Sequence, residues 1–167
     1  FLDDDRDGFT VGLGKTFEDE SYLDCSAFAN SYDIWKDPYI TGRDRKDTTM
    51  IDVGMALDYS RICGTGFNLT YKLHRRDVDK DVIGDNDRNL ARSGYLHESS
   101  LKYDFVLNEN SDLIAGATLR RGDMDGKAES YDGYSFDLSY SYDEEDYSLY
   151  STFYYGENTY DLLHPVF

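Results

Sequence analysis

The most constraining feature of this chain is a two-residue alternation of apolar and polar side chains, repeated in short stretches separated by turn-forming residues. Between Met50 and Tyr59, Ile51, Val53, Met55, Leu57 and Tyr59 share one side, while Asp52, Gly54, Ala56 and Asp58 share the other. Successive side chains of an extended chain point to opposite faces, so such a stretch reads as a two-faced β-strand. The same alternation predicts strands over 9–17, 67–74, 98–107, 113–120, 134–142 and 147–155. A further strand is expected over 22–32, but Leu23, Cys25, Ala27 and Ala29 compete there with Tyr22, Phe28 and Tyr32 for the apolar side, and its facing stays open. No helix-period segment of useful length competes with this reading.

Sixteen tyrosines and nine phenylalanines suit strands better than helices. No window approaches the roughly 20 apolar residues of a membrane helix, but a membrane β-strand needs only about 9 to 11 residues and shows half of them to lipid. A net charge of −17 disfavours nucleic acid, whose phosphates require clustered Lys and Arg.

Alternation alone does not say which face is inside, because a soluble barrel and a membrane barrel carry the same pattern reversed. The connections do discriminate. Short turns at 18–21, 61–66, 108–111 and 143–146 alternate with long connections at 33–48, 75–94 and 120–133. Membrane barrels place short turns on the periplasmic side and long loops outside. Tyr59, Tyr95, Tyr103, Tyr134, Tyr142, Tyr147 and Tyr155 lie near strand ends, where interfacial aromatic girdles form. The expected fold is therefore all-β: an antiparallel up-and-down transmembrane β-barrel, one domain over residues 1–167, with eight strands visible. In this topology both chain ends fall on the extracellular side, which predicts further strands on each flank and a barrel of about ten strands or more.

The residues Trp35, Asp37, Pro38 and Tyr39, followed by Thr41, Gly42, Arg45 and Thr48, resemble an uncharacterised family of Gram-negative outer-membrane barrels, a domain of unknown function. Leu90, Arg92 and Gly94, then Asp125 and Gly126, then His164, Pro165 and Phe167 extend the resemblance. It implies an exported protein longer than this chain and supplies neither an activity nor ligand residues.

Placed in a barrel, the polar sides of the strands line the lumen with Asp52, Asp58, Lys72, His74, Glu98, Lys102, Asp104, Arg120 and Asp137. Charges of both signs either pair into a plug or line a water-filled passage. The expected function is a passive pore for small hydrophilic solutes with a bias toward cations. The alternative is a closed structural or docking barrel that binds a surface protein through its extracellular loops, with Trp35 and Tyr39 as loop contacts. The expected neighbours are the lipid bilayer and lipopolysaccharide.

No enzyme activity, cofactor or metal is expected. Asp77, Asp79 and Asp81 have the spacing of a calcium loop, but Val82 stands where its glycine belongs and Arg88 where its closing glutamate belongs. His97 and Ser99 are two apart on one strand face and resemble the catalytic pair of outer-membrane lipid deacylases, though no second carboxylate or oxyanion donor accompanies them. Cys25 and Cys63 match no metal motif, and hairpin pairing sets them several residues out of register.

Overall fold

The computed structural model describes residues 4–34, 48–79 and 91–161. These form eight antiparallel strands: β1 (Asp4–Thr16), β2 (Tyr22–Ile34), β3 (Thr48–Ser60), β4 (Phe67–Val78), β5 (Gly94–Asn108), β6 (Ser111–Met124), β7 (Tyr131–Glu144) and β8 (Tyr147–Tyr160). They make one sheet in sequence order, each strand pairing only with its chain neighbours. Among the described residues β1 pairs on one side only, with β2, and β8 with β7, so the sheet is open at those two edges.

The strands run for twelve to fifteen residues, longer than the alternating cores suggest. The connection expected over 120–133 accordingly shrinks to 125–130, because Arg120 to Gly122 pair with Tyr131 to Gly133. Two-residue hairpins at 109–110 and 145–146 join β5 to β6 and β7 to β8. The turn between β3 and β4 contains a short 3-10 segment, Ile62–Gly64, with Arg61 and Cys63 at positive φ.

Register settles the facing of β2. Leu13, Val11 and Phe9 lie opposite Cys25, Ala27 and Ala29, so these small residues share the apolar face. Phe28 joins Tyr22 and Tyr32 on the polar face and is nearly buried there.

Burial is reversed relative to a water-soluble protein. Leu13 is 85% exposed and Phe153 65%, whereas Asp52 is 3% and Ser135 1% exposed. A single sheet can bury polar groups this way only where its polar face is concave and its side chains close over one another. Three register rows show how. In Phe28–Gly54–His74, Lys102–Gly116–Asp137 and Arg120–Gly133–Asn158, a glycine stands between two larger residues. Next-but-one strands are about 10 Å apart, a gap that long side chains span if nothing stands between them. The Phe28 and His74 rings approach to 6.0 Å and Lys102 Nζ comes within 3.5 Å of Asp137, each over the intervening glycine.

The apolar face forms a belt oblique to the strands. One register row runs Val11, Ala27, Met55, Leu73, His97, Arg121, Asp132, Thr159, apolar on β1 to β4 and polar on β5 to β8. On β8 the apolar belt is centred near Phe153, six residues from Thr159. That drift is roughly 20 Å along the strand over roughly 34 Å of sheet, a strand tilt of roughly 30°, close to that of closed barrels. Aromatic side chains mark the belt's lower edge: Phe17 with Tyr59, Phe67 with Tyr103 and Phe105, and Tyr142 with Tyr147. All seven tyrosines expected in girdles lie on this face. No helix among the described residues is long and apolar enough to cross a membrane.

Candidate functional site: the concave polar wall

The period-two geometry places all nine expected lumen residues on the concave face: Asp52 and Asp58 on β3, Lys72 and His74 on β4, Glu98, Lys102 and Asp104 on β5, Arg120 on β6 and Asp137 on β7. Trp35 and Tyr39 lie outside the described residues.

On the half of the wall toward the long connections, charges are paired. Arg76 Nε and Nη2 donate to the two oxygens of Asp52, both at 2.8 Å. His74 Nε2 lies 3.7 Å from the same carboxylate, while its Nδ1 is buried without a hydrogen-bond partner. Beside them, Arg120 Nε donates to Glu98 at 3.0 Å and its Nη1 to the Tyr154 hydroxyl at 3.4 Å. Lys72 sits 4.8 Å from the centre of the Phe28 ring. Arg76 is a wall residue that the sequence reading missed. It extends the alternation of Lys72 and His74 by one step, past the point where the strand was expected to stop.

A band of small hydroxyls follows. Thr118 donates to Ser100 at 3.1 Å, and both are buried, as is Ser135. Toward the short turns the wall becomes acidic, with Asp24, Asp58, Asp104, Asp112 and Asp143 on the concave face and Lys102 as the accompanying cation. Thr70 donates to Asp58 at 2.7 Å and Asn68 to Asp104 at 2.9 Å, so neutral donors rather than cations hold these carboxyl groups. Below the wall, in the 17–21 turn, Asp19 is held under the usual carboxylate range by the Ser21 hydroxyl and then the Ser21 amide.

The convex face carries a different polar group. His97 Nδ1 and the Tyr71 hydroxyl are 3.0 Å apart, and His97 lines a shallow depression with Ser99, Arg121 and Asp132. His97 and Ser99 do share a face, as expected, and Glu98 points to the other. They are not hydrogen-bonded to each other. Cys25, on the belt, and Cys63, in a turn, are both free thiols. No group of three or more metal-ligating side chains occurs among the described residues.

The family model described as "Protein of unknown function (DUF2860)" matches residues 3–167. No curated protein and no solved structure matches the chain.

Proposed function

The chain belongs to this family of unknown function, and from the wall just described we propose that it forms the side of an outer-membrane β-barrel that passes small hydrophilic solutes with a preference for cations. The observation that carries this reading is the inverted burial: ionic and hydroxyl groups packed on the concave face, Leu, Val and Phe bare on the convex one. In water the bare face would be a large exposed apolar patch. Against hydrocarbon the same face is satisfied, and the belt crosses the strands obliquely, as the tilted strands of a membrane barrel require. The lipid bilayer and lipopolysaccharide are then its immediate neighbours.

The cation preference follows from the lower wall. Asp24, Asp58, Asp104, Asp112 and Asp143 face one lysine there, whereas Arg76 and Arg120 are matched by Asp52 and Glu98 above. Fixed carboxylates in a confined aqueous passage raise the local concentration of cations. Reversal potentials across a potassium chloride gradient in planar bilayers test this. Cation-selective steps that weaken when Asp58 and Asp104 become Asn support the pore.

The buried Asp52 carboxylate, paired with a partly buried Arg76, favours a second reading, a closed barrel whose interior is filled by its own side chains and whose loops dock a surface protein. A folded protein that inserts but passes no current supports that alternative.

A further inference from the structure

Most of the concave face on β3 to β6 is small, polar or charged, whereas on β7 and β8 it carries a run of tyrosines. Tyr150, Tyr154 and Tyr160 fall on the concave side of β8, and Tyr131 of β7 lies beside Tyr160 with ring centres 5.5 Å apart. Most of their neighbours on that face are small, namely Ser135, Ser139, Ser141, Thr152 and Gly156, while Asp137 stands beside Tyr154, Asn158 beside Tyr160, and Arg120 donates to the Tyr154 hydroxyl. From Tyr150 to Tyr160 the column runs roughly 33 Å along the strand.

Carboxylates accompany these rings. Asp137 lies directly opposite Tyr154, and Asp112 shares the register row of Tyr150 and Ser141. Asp112 and Asp143 make no ion pair among the described residues. The wall already uses one contact of this kind internally, Lys72 over Phe28. An aromatic face attracts a cation through its quadrupole, most strongly a poorly hydrated organic cation, and a nearby carboxylate adds charge.

Resting on the pore reading, we infer that the Tyr150–Tyr154–Tyr160 column, together with the acidic lower wall, selects organic cations, of the quaternary-ammonium or alkylamine class, over alkali ions and neutral sugars. The inorganic cation meets the carboxylates alone. The organic cation meets carboxylate and ring together along the passage.

The test uses the full chain in planar bilayers carrying potassium chloride current, with tetramethylammonium and glucose as probes. Tetramethylammonium is expected to reduce the potassium current at concentrations where glucose does not. Tyr150→Ala/Tyr154→Ala should weaken that block by about tenfold, whereas Tyr150→Phe/Tyr154→Phe, which keeps the rings, should retain it. Block by glucose at equal or lower concentration, or block unchanged in the alanine variant, overturns the inference. If no variant conducts, the pore reading fails separately. Titration of tetramethylammonium into folded protein in micelles, read by tyrosine ring resonances, then decides the site: saturable shifts lost in the alanine variant uphold the column, and absent shifts remove it.

Discussion

Arg76 grips Asp52 through two parallel hydrogen bonds of 2.8 Å on adjacent strands, and the carboxylate is among the least accessible side chains of a sheet whose opposite face is bare leucine, valine and phenylalanine. A two-point contact fixes both distance and plane. It also places the most buried charged side chain among the described residues on the side that a soluble sheet would fill with apolar side chains.

Breaking this contact from one side should be costly. Asp52→Ala leaves a partly buried guanidinium without its partner and should lower unfolding stability in micelles by about 3 kcal/mol. Replacing both partners, Asp52→Leu with Arg76→Met, should recover most of the loss. Urea titration followed by far-ultraviolet circular dichroism measures both. Equal losses in the single and double variants would contradict the pairing.

Gly116 keeps the row between Lys102 and Asp137 open. A Cβ placed there would lie 2.5 Å and 2.8 Å from the Asp137 carboxylate oxygens. Gly116→Val should therefore destabilise by about 1 to 3 kcal/mol through overpacking. Shortening the neighbour, as in Gly116→Val/Asp137→Ser, should return part of that loss.

The obliquity of the belt yields a sharper prediction, because Val11 and Thr159 share a register row yet only Val11 lies within the apolar belt. Val11→Arg should cost about 2 to 4 kcal/mol of stability in a bilayer, and Thr159→Arg no more than about 1 kcal/mol. Equal penalties would mean that the strands are not tilted against the bilayer.

Asp19, in the turn over residues 17–21, provides a pH response. Hydrogen bonds from Ser21 lower its pKa, so its contribution to the 17–21 turn is present above the ordinary aspartate range. That contribution is lost as the pH falls through the lowered value. Exchange of the Ser21 amide should accelerate on acidification, and Asp19→Asn should remove that pH dependence.

Much of the fold is legible in the residues because alternation at period two is a direct imprint of the pleat. The β3 and β7 stretches, with Asp52 facing away from Val53 and Ser135 away from Phe136, need no further information. Strand β2 does, since Phe28 occupies the polar face in the space left by Gly54, where Lys72 and His74 contact its ring. That space exists only after β3 and β4 are paired. The 120–133 stretch misleads for the opposite reason: Gly122 and Asp123 have turn-like chemistry, but Gly122 receives the Tyr131 ring from the next strand. The nine expected wall residues follow from period alone. Contacts such as Lys102 to Asp137 cross an intervening strand and depend on register, as does the drift of the belt, which no single strand records.

The most direct measurement is the environment of the convex face in lipid vesicles. Nitroxide labels at single cysteines replacing Val11, Val53 and Leu138, with Cys25 and Cys63 first changed to Ser, should relax with lipid-dissolved oxygen and resist water-soluble nickel chelate. Labels at Ser100 and Thr118, on the concave face, should not meet lipid. Convex-face labels shielded from oxygen and immobilised in a dry protein core would contradict the account.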